Sequence, residues 1–213
     1  MNVRAAFAGL LIVIADAAPA SEGHFLNIAI LRAPEAFLAD IPIGNRHRLL
    51  ELLSEWPGSA THLDYEHGWV HWFHDGPAAD SPGGTSMFWM KTLPRKGQSP
   101  LVLVHMAKAF ATGTAPAANQ TVVLERGSLG QWLDVTADVL PAEVDRTMHF
   151  RPRRTDNRIE VARYEKIQRK DGRGEAYKFG NRELDLAWEN GAFRMLAPDG
   201  RKLSAADGTK ASE

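Results

Sequence analysis

From Thr61 to Leu196 the chain repeatedly alternates apolar and polar positions or runs apolar for a few residues, and it breaks at clusters of Gly, Pro, Asn and Asp. That is the period of β-strands separated by turns. Strands are predicted at 63–65, 69–73, 87–93, 101–104, 121–126, 131–135, 148–150, 159–167, 184–188 and 193–196. Residues 101–104 (LVLV) form an unbroken aliphatic run, as expected of a strand covered on both faces. The centre of one sheet is predicted to contain Leu101, Leu103, Val122, Leu124, Trp132, Leu186 and Trp188. Gly127, Ser128, Leu129 and Gly130 separate two β-prone segments as a hairpin turn, and Asn190-Gly191 marks a two-residue turn between Trp188 and Phe193. Further turns or loops fall at 77–84, 95–97, 111–119 and Asp171-Gly172.

The pattern before Thr61 is different. Residues 45–58 (NRHRLLELLSEWPG) read as a helix with Asn45 as N-cap and Pro57-Gly58 as its stop. Leu49, Leu52, Leu53 and Trp56 share its apolar face. Arg46 and Arg48 in the first turn oppose the helix dipole, which points to a nearby carboxylate. Pro34 starts a short helical segment, whereas residues 24–31 (HFLNIAIL) are too short to separate helix from strand by period. No helix-length pattern separates the later strands, which favours antiparallel neighbours over βαβ units. The predicted fold class is α+β, a short N-terminal helical lead packed on a predominantly antiparallel β-meander or curved sheet. The division is a signal peptide over 1–20, one β-rich globular domain over 21–198 and a disordered tail over 199–213.

The signal peptide is read from Arg4, the apolar run AAFAGLLIVIA and the small-residue site Ala18-Pro19-Ala20. The apolar run is well short of the roughly 20 residues that span a bilayer, so cleavage near Ala20 and a periplasmic or secreted bacterial location are expected. The 213 residues include no cysteine, which excludes disulfides, a thiol nucleophile and thiolate metal sites.

Formal net charge is −1, so overall charge implies no partner. Its distribution does: between Arg146 and Arg173 ten basic residues face four acidic ones, an excess of six. Arg151, Arg153, Arg154 and Arg158 are the candidate binding residues, because the planar guanidinium suits carboxylate and phosphate. Pairing with the acidic residues at 21–80 is the structural alternative. Histidines 67, 71 and 74, with Met87, Met90 and Met106, suggest copper or zinc, yet a regular strand separates His67 and His71 by about 13 Å and turns His74 to the other face. His105 and His149 are candidate general bases, but no serine has a nucleophile context such as G-x-S-x-G. Asp64 and Glu66 read as a solvated pair. No cofactor motif is present. The functional expectation is an exported binding or accessory protein that recognises an anionic envelope component or an acidic protein. The alternatives are an exported hydrolase and a His/Met metal binder. Export argues against nucleic acid as a partner.

Overall fold

A computed structural model describes residues 22–34, 38, 43–55, 62–74, 84–110, 118–168, 175–189 and 191–203. The signal segment, Trp56 to Gly58, most of the loops at 77–84 and 111–119, Asp171-Gly172 and residues 204–213 lie outside them. Among the described residues ten strands dominate: β1 (His62–Asp64), β2 (Trp69–His74), β3 (Gly84–Arg95), β4 (Gln98–Phe110), β5 (Ala118–Arg126), β6 (Trp132–Asp134), β7 (His149–Pro152), β8 (Arg158–Gln168), β9 (Glu175–Glu189) and β10 (Ala192–Leu196). Among the described residues three α-helices accompany them, α1 (Glu22–Arg32), α2 (Arg46–Glu55) and the single turn α3 (Thr136–Val139), with a 3-10 turn at Ile43–Asn45 leading into α2.

The strands form two antiparallel sheets, in the orders β1-β2-β3-β4-β5-β6 and β10-β9-β8-β7. The expectation of one sheet is therefore corrected: Leu186 and Trp188 belong to the second sheet. The chain leaves the first sheet at Asp134, whose carboxylate accepts hydrogen bonds from the backbone N–H of Thr136 (2.9 Å) and from its hydroxyl. The buried Thr136 Oγ1 in turn accepts from Val123 N–H at 2.8 Å, so the one-turn α3 is locked onto β5 rather than extending β6. Trp132 is also displaced from its expected central position, because β6 is the last strand of its sheet; the half-buried indole lies edge-on to Phe25.

Alternation along β4 accounts for its unbroken apolar run. Val102, Val104 and Met106 face a core shared with Phe25, Leu26, Ala29 and Ile30 of α1, together with Phe88, Met90, Val122 and Leu124. Leu101 and Leu103 face a second core with Leu93, Val123, Phe150, Ile159, Val161, Leu186 and Trp188, between the sheets. The first sheet is thus covered on both faces, by helix and by sheet. Trp188 Nε1 donates to Pro94 O at 2.7 Å across that second core. Arg46 is fully buried and donates through Nη1 to the carbonyls of Ile30 (3.2 Å) and Ala33, at the end of α1. At Arg46 the basic start of α2 is therefore accommodated by the carbonyl end of another helix, where a cation is favoured. Arg48 meets the expected carboxylate, pairing with Glu51 on the exposed side at 2.9 Å.

The two-residue turn between Glu189 and Ala192 has the expected register, with Gly191 at φ 89°. The 127–130 turn is likewise closed by Gly127 N–H donating to Gln131 O at 2.8 Å. Residues 199–203 fold back on β10: Leu203 N–H donates to Met195 O at 3.1 Å and Lys202 bridges Leu196.

Candidate functional site

Sequence alternation builds a charged cluster on the face of the second sheet that points away from the first. Phe150 and Pro152 are buried while Arg151 between them is exposed, and register sets Arg151 opposite Glu160 and Glu160 opposite Asp185 on three adjacent strands. Glu160 and Asp185 are 9% and 1% exposed, although both are acidic. The arginines that cover them remain in contact with water. Arg151 Nε donates to Glu160 Oε2 at 2.8 Å and Arg151 Nη2 reaches the same oxygen. Arg153 Nε donates to Glu160 Oε1 at 3.1 Å, and its other nitrogens lie 3.5 Å from Asp156 and 3.9 Å from Asp185. Arg182 Nε stands 3.2 Å from Asp185 Oδ1, and Arg182 Nη2 donates to Pro198 O.

These contacts set the titration of the pair in opposite directions. Burial works to raise the Glu160 carboxyl, but hydrogen bonds and charge from Arg151 and Arg153 outweigh it and hold the group below its ordinary range. At Asp185 burial wins over Arg182 and Arg153, aided by the charge of Glu160, and the carboxyl is pushed up. Both Asp185 oxygens are buried without a hydrogen bond, which is why charge alone compensates them poorly.

Of the four predicted binding residues, Arg151 and Arg153 belong to this cluster. Arg158 is exposed at the start of β8; its backbone N–H is held by Asp156 Oδ1 at 2.9 Å, and its charge favours ionised Asp185. Arg154 turns toward the first sheet, where its Nε donates to Asp64 Oδ2. Asp64 is 7% exposed and also accepts from His67 N–H at 3.1 Å, with His67 Nδ1 3.0 Å from Oδ2. The expected solvated Asp64/Glu66 pair is corrected accordingly: Glu66 is exposed in the turn, whereas Asp64 ties the two sheets together. The buried Lys91 Nζ strengthens the same junction by donating to His67 O (2.7 Å) and Arg154 O (3.0 Å).

A second polar cluster lies between the sheets. Register aligns His71, Trp89, His105 and Thr121 on neighbouring strands β2 to β5. His105 is fully buried, with Nδ1 2.9 Å from Thr121 Oγ1 and Nε2 3.3 Å from His149 Nδ1; Tyr164 Oη also meets His149 Nδ1. Trp89 stacks on His71 at 4.5 Å and meets His149 edge-on at 4.8 Å. Burial, then the charge of His149, keeps His105 neutral; burial, followed by Arg151 and His71, pushes His149 down to about 3. Burial alone pushes the Tyr164 phenol up. The predicted methionine donors do not join the histidines, since Met90 and Met106 lie in the helix-facing core and the side chain of Met87 is outside the described ones. Among the described residues no three His, Asp or Glu side chains converge as a metal site.

His105 and His149 stand out in the sequence only separately, and nothing there marks Tyr164, Asp185 or Lys91 as their neighbours or as parts of a cluster. For Glu160 a signal existed: it is the one acidic position opposite Arg151 if Phe150 and Val161 face inward together.

The described residues define a mostly antiparallel, two-sheet β protein with few helices, with one buried polar cluster between its sheets and one charged cluster on the outer face of the second. No protein-family model matches the chain, and no curated protein matches it. Among solved structures, it is similar to a domain of an uncharacterized protein from Porphyromonas gingivalis W83, at 12% identity over 82% of this chain and 98% of that one, with a TM-score of 0.41. A likeness that distant carries no functional argument.

Proposed function

We propose that the protein is an exported binding or accessory domain whose second sheet presents an arginine face to an anionic envelope component or an acidic protein surface. One observation carries the reading: buried Glu160 and Asp185 lie beneath Arg151, Arg153 and Arg182, so the carboxylates are inside and the guanidinium groups outside. Each guanidinium has five N–H donors in a fixed fork, and an anchored one loses less freedom when an anion arrives. Arg158 extends the face at the start of β8. In this reading residues 1–20 direct export, the mature chain begins near Ser21, and the helical lead serves to cover the first sheet. Binding without turnover accords with the composition of the site, where the ionisable groups are committed to one another.

The test uses polyglutamate and heparin as probes, with wild type and an Arg151→Gln/Arg153→Gln/Arg154→Gln variant compared at equal folded concentration. Binding weakened at least tenfold in the variant is the expected result. Unchanged affinity with lowered stability would mean that the arginines serve only to hold the sheets together, and would remove the face from any account of function.

A further inference from the structure

We propose that the buried pair His105 and His149 is an acid-sensitive latch between the two sheets, which holds them together while both imidazoles are neutral and lets them part at the Tyr164 end when they take up protons. The latch lies between the sheets, and its argument does not depend on the arginine face outside them.

The first observation is position. His105 is fully buried on β4 and His149 is buried on β7, and their rings meet edge-on across the gap between the sheets, with centroids 4.7 Å apart. Thr121 Oγ1 stands 2.9 Å from His105 Nδ1 and fixes that ring from the first sheet, whereas the Tyr164 hydroxyl donates to His149 Nδ1 from the second. His105 Nε2 approaches the same nitrogen at 3.3 Å. A proton on His149 Nδ1 therefore takes the lone pair on which both neighbours converge.

The second observation is what faces the pair. His71 reaches it from β2, the uncharged Trp89 from β3, the hydroxyls of Thr121 and Tyr164 from β5 and β8, and the charge of Arg151 from β7. The groups that act electrostatically on these rings are cationic or become so: Arg151 and His71 on His149, and His149 on His105. Burial first, and these groups second, hold both imidazoles below their ordinary value of 6.5, His149 at about 3. Once water reaches the rings the ordinary value returns, so the open state binds more protons than the closed one. Opening is thus unaffected above about pH 6.5 and favoured below it, by up to about tenfold per pH unit for each proton. Asp185, raised in the folded state, acts in the opposite sense and cannot supply this opening.

The third observation is that the opposite end of β7 is fastened by groups that do not titrate in this range. Trp69 Nε1 donates to Pro152 O at 3.0 Å, Trp188 Nε1 donates to Pro94 O at 2.7 Å, and Arg154 donates to Asp64, whose carboxyl is held at about 2. His149 and the irregular register of β8 from Val161 to Tyr164 lie at the other end. Acid acts there while the Pro152 end stays closed.

Amide hydrogen exchange, corrected for its intrinsic pH dependence, tests this at about pH 7.5 and about pH 5. In wild type, protection should fall at least tenfold at the lower pH over His149, Phe150 and residues 161–164, and change less than about twofold over residues 186–188. His105→Leu/His149→Phe should remove the difference between the two conditions, whereas replacement of the exposed His47 by alanine should keep it. Equal protection of the 149–150 and 161–164 segments at both pH values in wild type would overturn the proposal. Undiminished acid sensitivity in the folded double variant, or an equal loss over 186–188 in wild type, would overturn it too. If the double variant fails to fold, the ring resonances of wild type decide: rings that stay neutral in the protected state at about pH 5 support the latch, and rings protonated without loss of protection overturn it.

Discussion

Gly68 shows how narrowly one residue can be constrained here. Its φ is 53°, and a Cβ built on it would lie 1.8 Å from Thr92 Oγ1, the neighbour whose N–H and hydroxyl both donate to Gly68 O. Gly68→Ala therefore combines left-handed strain with a collision against a buried strand, and a loss of at least about 2 kcal/mol is expected in denaturant melts. A change within about 0.5 kcal/mol would show that the turn relaxes. Asp64, four residues earlier, gives a pH signature. Burial works to raise its carboxyl, but hydrogen bonds from Arg154 and His67 and the Arg154 charge bring it from 3.8 down to about 2. Because the folded value lies below the unfolded one, the stabilisation is present above about pH 4 and is lost as pH falls toward 2. The magnitude is about 2 kcal/mol. Asp64→Asn should flatten that acid limb of the stability profile; a limb of undiminished steepness would assign it to other carboxylates.

At the scale of elements, the centres of the strands were legible because they alternate or run apolar, whereas the polar ends were not: the expected strands at 101–104 and 184–188 are the apolar parts of β4 (Gln98–Phe110) and β9 (Glu175–Glu189). The 127–130 turn was legible from its two bounding glycines and the turn before Ala192 from Gly191 at positive φ. What alternation could not give was parity across a bulge. Counting by twos from Ile159 puts Arg163 inward and Tyr164 outward with Glu160. Register shifts at Ala162 reverse this, so that Arg163 is exposed and pairs with Glu183 while Tyr164 meets His149. Residues 22–32 were ambiguous for another reason: a helix packed on a sheet and only 11 residues long offers too few turns for its period to stand out. Between the sheets, β7 contributes Phe150, fully buried against Leu103, Val161 and their neighbours. Phe150→Ala should cost about 3–5 kcal/mol, read from the shift of the denaturant midpoint at constant slope. A cost below about 1 kcal/mol would mean that the sheets can close over the gap.

For the whole molecule, the division into two sheets was not legible, since nothing in the stretch between β6 and β7 marks a change of sheet until Thr136 is seen bonded to Asp134 and Val123. The fate of the arginines was legible only in part: Glu160 stands a few residues from Arg151 and Arg153, but Asp64 at the end of β1 and Asp185 on β9 are far from them in sequence. The resulting layers, helix on sheet on sheet, leave the outer face of the second sheet to its charges. Exposed charges act over about 8 Å at physiological ionic strength, so an anion held there must be released progressively by salt. The most direct measurement is the affinity for heparin over a salt series, for wild type and for Arg151→Gln/Arg158→Gln, which spares the Arg154 link to Asp64. The account predicts wild-type affinity that falls steeply with salt and a shallower slope with weaker low-salt binding in the variant. Salt-independent affinity, or identical slopes for the two proteins, would contradict it.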